Sequence, residues 1–287
     1  MQDLTDAARL LDLPRLISEI RHEMVFADNP DKSHFDLGRT ADGLQDRYAN
    51  VMPCVLSDNT FGCKVVHVNE TYGSIQGTYL GVAPNGIPFS VDASRLTSLR
   101  CAVMAAYCLS ILKPPGSEVR VAYFGAGRIN CCTSALVSRH WRASAVVCGS
   151  PTNPDRNSHM FPDGTIFRRS PVDIVSCDAL FTATNTTSPS DVIHHSRLTG
   201  PRLFVSQDGG FILGPSFRRA YRNISDSPTQ LESQFADEFP HDTARPRFEA
   251  LSGITEYHLT SCVYLNGIAC ADAVVAREMR RLSLWST

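Results

Sequence analysis

Between Val119 and Cys148 the chain passes through an apolar strand, a Gly125-Ala126-Gly127 turn, a helix-patterned segment and a second apolar strand. This order restricts the fold more than any other feature. The first strand is Val119 to Phe124, the helix runs from about Arg128 to Trp141, and the second strand is Ala143 to Cys148. Two parallel strands need a crossover between them, and a helix of this length supplies one. Gly125 permits the tight turn, and Gly127 lets the backbone approach a pyrophosphate. The helix start, at Arg128 and Ile129, then offers free N–H groups and a favourable dipole. Asn130 stands where glycine or alanine is usual, which predicts looser packing of helix on strand. Further strand-like runs, Asp178 to Thr184 and Leu203 to Ser206, extend the alternation to a doubly wound sheet through at least residue 210. Thr184, closing the first of them, joins the candidate cofactor set.

Cofactor choice is read after the second strand. An Asp or Glu there accepts from a ribose 2′-hydroxyl, as NAD requires. This chain has Gly149-Ser150-Pro151-Thr152 and no carboxylate before Asp155. Ser150 and Thr152 can hydrogen-bond a 2′-phosphate and Arg156 can neutralise it, so NADP(H) is favoured and NAD(H) stays open. A solvated loop would carry the same residues.

Upstream, apolar positions from Leu10 to Met24 predict one amphipathic N-terminal helix, with Pro14 tolerable only in a first turn. Val51 to Leu56, Cys63 to Val68 and Thr78 to Val82 read as antiparallel strands, and Pro84-Asn85-Gly86 as a hairpin turn. Residues 94–112 return to helical spacing, and Lys113-Pro114-Pro115-Gly116 breaks the chain. The segment 225–246 is polar and irregular, and Asn266 to Leu284 reads as a helix entered from a glycine. The expected organisation is α/β. A Rossmann-type domain covers 114–260, and a second, α+β substrate and dimerisation domain covers 1–113 with 261–287 packed back on it.

Composition narrows the partners. With 20% charged residues and a net charge of -2 there is no basic field for nucleic acid, and the expected ligand is a small molecule. No uninterrupted apolar run reaches roughly 18 residues, so no membrane span is expected. The polar start Met-Gln-Asp-Leu-Thr-Asp does not read as a signal peptide. Ten cysteines, none in C-x-x-C spacing, read as buried free thiols rather than a zinc site or disulfide framework. A cytoplasmic protein is expected.

From about Arg39 to Arg277 the chain resembles the ornithine cyclodeaminase/mu-crystallin family. The resemblance is carried by Val91-Asp92-Ala93-Ser94-Arg95-Leu96-Thr97-Ser98-Leu99-Arg100, by Leu112-Lys113-Pro114-Pro115, and by the glycine turn. Met52-Pro53, Gly62-Cys63-Lys64-Val65 and Asn266-Gly267-Ile268-Ala269-Cys270-Ala271-Asp272 add to it. It implies a homodimer through the strand-rich domain, and an NAD(P)H-dependent enzyme working on the Cα–N bond of an amino acid, imine or keto acid. Arg39, Lys64 and Arg100 are the implied carboxylate-binding residues, which suits an anion wanting guanidinium forks and one ammonium. Asp208 is the implied acid/base, with Lys64 beside it in the catalytic set. The alternative for each cation is an ordinary surface charge, and for Asp208 a turn residue.

Three departures stand out. Asn50 occupies the position where cyclodeaminases carry glutamate, and Gly209-Gly210-Phe211-Ile212-Leu213 replaces their glycine-lysine-x-glutamate run. Asn130 is the third. Two other functions therefore accompany the oxidoreductase reading. One is a non-catalytic NADPH-dependent binding protein, as in the mu-crystallin branch. The other is an ammonia lyase with bound NAD.

Overall fold

A computed structural model describes residues 2–26, 35–36, 47–69, 74–148, 157–168, 177–184, 195, 200–208, 210, 212–236 and 247–284. The chain divides into two units, one of Met1–Arg9 with Cys101–Asn266 and one of Leu10–Arg100 with Gly267–Thr287. Sequence had placed the divisions at Lys113-Pro114 and near residue 260; the contacts place them inside a helix and at Asn266.

The larger unit holds an eight-stranded sheet. Its strands are β6 (Glu118–Phe124), β7 (Arg142–Cys148), β8 (Ile166–Arg168), β9 (Ala179–Thr182), β10 (Leu203–Ser206), β11 (Arg222–Ser225), β12 (Phe248–Ala250) and β13 (Ser261–Tyr264). The order is β12-β11-β13-β10-β9-β6-β7-β8, and every pairing is parallel. From β6 the chain winds outward through β7 to β8, then returns to lay β9 on the other side of β6. That reversal creates a crevice beyond the carboxyl ends of β6 and β9, where open α/β sheets bind ligands. β9, β10 and β13 are buried at every residue, as strands covered on both faces must be. The expected doubly wound sheet is present, and β11 to β13 carry it beyond residue 210. These strands are only three or four residues long.

The helix α4 (Arg128–His140) makes the crossover from β6 to β7, and α5 (Pro215–Ala220) and α6 (Pro228–Gln234) follow later strands. Phe204, Phe217, Phe235, Phe248 and Tyr264 pack together in the core of this unit. Burying one such ring contributes roughly 1.5–3 kcal/mol.

The smaller unit is built on an antiparallel sheet, β1 (Phe35–Asp36), β2 (Arg47–Val55), β3 (Phe61–Asn69), β4 (Ser74–Val82) and β5 (Pro88–Asp92), in sequential order. The predicted turn joins β4 to β5: Gly86 has φ +77° and its N–H donates to Ala83. The helix α7 (Ala269–Arg281) packs on β2 to β5 and on α2 (Leu13–Phe26).

Two expectations are corrected. The single N-terminal helix is two, α1 (Gln2–Leu10) and α2, because Pro14 can occupy only a first turn. Asp12 accepts from the Arg15 N–H and caps the second helix. The helix α3 (Ala93–Leu112), which crosses the division between units, does have the length and apolarity to span a bilayer, although Arg95 and Arg100 interrupt its apolar run. Within the fold 78% of its most apolar stretch is buried, as in a core helix.

Candidate functional site

The glycine turn is held by sterics and by side-chain amides. Gly125 has φ +96°, and a Cβ there would sit 2.5 Å from the Ala183 carbonyl oxygen. Only glycine lets β6 end this close to the segment after β9. At exposed Gly127 a Cβ would meet nothing nearer than 4.0 Å, so the space beside the turn is open. Gly127 caps α4 with no side chain of its own, and Arg128 and Ile129 form the first turn. These residues fit the diphosphate of a dinucleotide: a helix start with no side-chain cap, and a cradle at Gly127 that a Cβ would begin to fill.

Asn130 does not loosen the packing. It is 0% exposed, and its Nδ2 donates to the carbonyls of Phe124 at 3.0 Å and Gly125 at 2.8 Å. A glycine or alanine would leave those carbonyls without this donor. Asn157, unnoticed in sequence, donates to the Ala126 carbonyl at 2.7 Å.

Gly125→Ala is expected to cost about 1–3 kcal/mol of stability in denaturant unfolding, from strained φ and the carbonyl clash. Gly127→Ala is expected to leave the unfolding curve in place and weaken only dinucleotide binding. Equal effects of the two on stability would contradict this geometry.

Asp208 follows β10 directly. Its Oδ1 accepts from the Ser206 hydroxyl at 2.6 Å and the Thr182 hydroxyl at 3.1 Å; its Oδ2 accepts from Thr184 at 3.5 Å. Ser206 and Thr182 are paired neighbours at the ends of β10 and β9. The Gly210 N–H donates to Ser206 Oγ at 2.9 Å, which turns the serine proton toward the carboxylate. Buried Arg218 secures this loop by donating to the carbonyls of Gly210 and Leu213, with its guanidinium over the Phe235 ring. Burial pushes the Asp208 carboxyl above the usual carboxylate range, against the opposing effect of the Ser206 and Thr182 hydrogen bonds. Thr184 links this carboxylate to the glycine turn, since its Cγ2 lies 3.1 Å from the Cβ position of Gly125.

In the smaller unit Lys64 and Arg100 converge on Asp272. Lys64 Nζ donates to Asp272 Oδ2 at 2.5 Å and Arg100 Nε to Oδ1 at 3.4 Å. The three side chains are 3%, 4% and 0% exposed, so neither cation is an ordinary surface charge. Gly267, at φ +96°, makes room: a Cβ there would lie 2.6 Å from Arg100 Nη2. Gly62 likewise lies beneath the Tyr79 ring. Asp272 as the shared partner was missed, although a carboxylate inside Ala-Cys-Ala-Asp-Ala-Val-Val needs a counter-ion. Asn50 is buried in β2. Arg39, Ser150, Thr152 and Arg156 lie outside the described residues.

None of the ten cysteines forms a disulfide, and eight are buried. Burial raises the Cys131 and Cys132 thiols to about 12, so these two are poor nucleophiles at neutral pH.

This arrangement defines a Rossmann-type fold joined to an α+β unit. No protein-family model and no curated protein matches the chain. Solved structures do. A Δ1-pyrroline-2-carboxylate reductase from Thermococcus litoralis, in complex with NADH and L-proline, is similar at TM-score 0.72 and 17% identity, over 96% of this chain and 94% of that one. The iminosuccinate reductase of Paracoccus denitrificans, in complex with NAD+, gives 0.71 and 18%, over 96% and 93%. A lysine cyclodeaminase gives 0.69 and 17%, over 99% and 88%. The fold implied by the sequence resemblance is thus the fold observed.

Proposed function

We propose that this chain is a nicotinamide-dinucleotide-dependent oxidoreductase acting on the Cα–N bond of an α-amino acid or its imine. The observation that carries this reading is the placement of Asp208. A half-buried carboxylate, held by three hydroxyls, stands beside the end of β9, next to the switch point of the sheet, and is tied through Thr184 to the glycine turn. The reductases of similar fold act on such bonds by their names and hold NADH or NAD+.

The bound dinucleotide would supply or accept a hydride at the substrate α-carbon. Asp208 delivers a proton to the imine nitrogen in reduction and removes one from the ammonium in oxidation. Lys64 and Arg100, brought together at Asp272, are the cations proposed to receive a substrate carboxylate, an ammonium and a planar guanidinium fork being suited to that anion. Arg39 is proposed as a further cation for that group. Asn50, in place of the glutamate that cyclodeaminases use, disfavours the lyase reading.

Mixing the protein with reduced dinucleotide and a panel of cyclic and open-chain α-imino acids tests the proposal. Loss of NAD(P)H absorbance that depends on substrate is expected. Tight dinucleotide binding with no turnover across the panel would instead support the non-catalytic reading. Ser150, Thr152 and Arg156 favour NADP(H), and tighter binding of NADH than NADPH would reverse that preference.

A homodimer is proposed through the antiparallel sheet. Val55, Phe61, Val65, Leu80 and Val82 are exposed on the face of β2 to β4 opposite α7, and Val55, Phe61 and Val82 align across three strands. A contiguous apolar face of this kind marks an interface, and the family resemblance implies the second copy as its occupant. Phe61→Glu with Leu80→Glu is expected to convert a dimer to a monomer in light scattering. A wild-type monomer at micromolar concentration would rule the interface out.

A further inference from the structure

We infer that Asn130 and Asn157 are positioning residues that aim the backbone amides of the glycine turn at the dinucleotide diphosphate; this rests on the dinucleotide-binding reading above. Four consecutive carbonyls, Phe124 to Gly127, are tied down. Asn130 Nδ2 holds the first two, Asn157 Nδ2 holds Ala126, and the Cys131 N–H holds Gly127 at 3.0 Å. No peptide bond here is cis. In a planar trans peptide the N–H points opposite to the C=O. Fixing the carbonyls of Gly125 and Ala126 therefore directs the N–H groups of Ala126 and Gly127 away from these partners. At Gly127 the structure is open to 4.0 Å around the Cβ position. A strongly hydrated diphosphate gives up water only to several donors already aligned, and this turn presents them before the ligand arrives.

The two asparagines are themselves oriented. Gln207 Nε2 donates to Asn130 Oδ1 at 3.5 Å, which leaves Nδ2 as the end facing the turn. This bond also ties the turn to the residue preceding Asp208. Asn157 reaches Ala126 from a left-handed conformation, φ 62°, which asparagine tolerates better than most residues. The departure from glycine or alanine at position 130 thus adds an amide clamp on the turn. An amide is needed for this: a carboxylate of the same shape has no N–H to donate and repels the diphosphate.

The test is a titration of wild type, Asn130→Ala, Asn157→Ala and Asn130→Asp with NADH, NADPH and ADP-ribose, followed by protein fluorescence. ADP-ribose keeps the diphosphate and lacks nicotinamide. Each alanine variant is expected to bind the preferred dinucleotide and ADP-ribose roughly tenfold more weakly, by the same factor for both, and Asn130→Asp more weakly still. A role in folding alone would shift the thermal midpoint and leave the affinity of the folded fraction unchanged. Should Asn130→Ala fail to fold, partly exposed Asn157 decides. Folded variants that bind within twofold of a wild type that itself binds overturn this inference and leave the proposed function standing. A wild type that binds none of the three overturns both.

Discussion

Asp208→Asn is expected to reduce turnover by roughly 10²–10⁴-fold while leaving dinucleotide affinity within twofold of wild type. The substitution keeps the shape of the group, and an amide oxygen can still accept from Ser206 and Thr182. The proton that must move during reduction or oxidation has no carrier. Acid catalysis in the reducing direction needs the protonated carboxyl, so kcat/KM there should fall as pH rises through the raised Asp208 pKa; the oxidising direction should rise over the same interval. Stability provides an independent check. A carboxyl whose pKa is raised by folding binds more protons folded than unfolded, so its contribution to stability declines as pH increases. The deficit is absent below the ordinary carboxylate range and complete above the raised value. Asp208→Asn should therefore be at least as stable as wild type at neutral pH and lose that advantage in acid. Undiminished turnover in this variant would remove Asp208 from the mechanism.

Asp272→Asn is expected to destabilise the protein by about 3–5 kcal/mol, read from the shift of a denaturant midpoint at constant slope. Asp272 is fully buried and answers two buried cations, so neutralising it leaves Lys64 and Arg100 facing each other without that charge. Lys64→Met should cost less, because Arg100 still answers the Asp272 carboxylate. The order of the two effects is the diagnostic feature. If Lys64→Met proves the more damaging, Asp272 is not the charge that holds this cluster together.

The site was partly legible in advance for reasons that differ by residue. Gly125 announces itself because the shift from strand to helix periodicity within three residues demands a turn that only glycine makes easily. Lys64 and Arg100 were legible through the segments around them. Asn130 was misread: its identity was visible, but whether it weakens or braces the turn depends on which carbonyls its amide meets. Asn157 and Arg218 carried no signal, since their partners at Ala126, Gly210 and Leu213 are backbone atoms that leave no trace in residue type. The short strands β11 and β12 escaped because three or four residues are too few for alternation to show.

Periodicity, turn sterics and capping act between residues a few positions apart, so the linear sequence by itself determined the βαβ unit, the hairpin at Gly86 and the helix after Gly267. The union of Lys64 with Asp272, 208 residues away, was decided only by tertiary structure. Burial strips water from both charges, and which ions then meet depends on where α7 lies against the sheet. The same holds for Asp208: the chain supplies a carboxyl after a strand, and the neighbouring strand ends supply the hydroxyls and the partial burial that set its proton affinity.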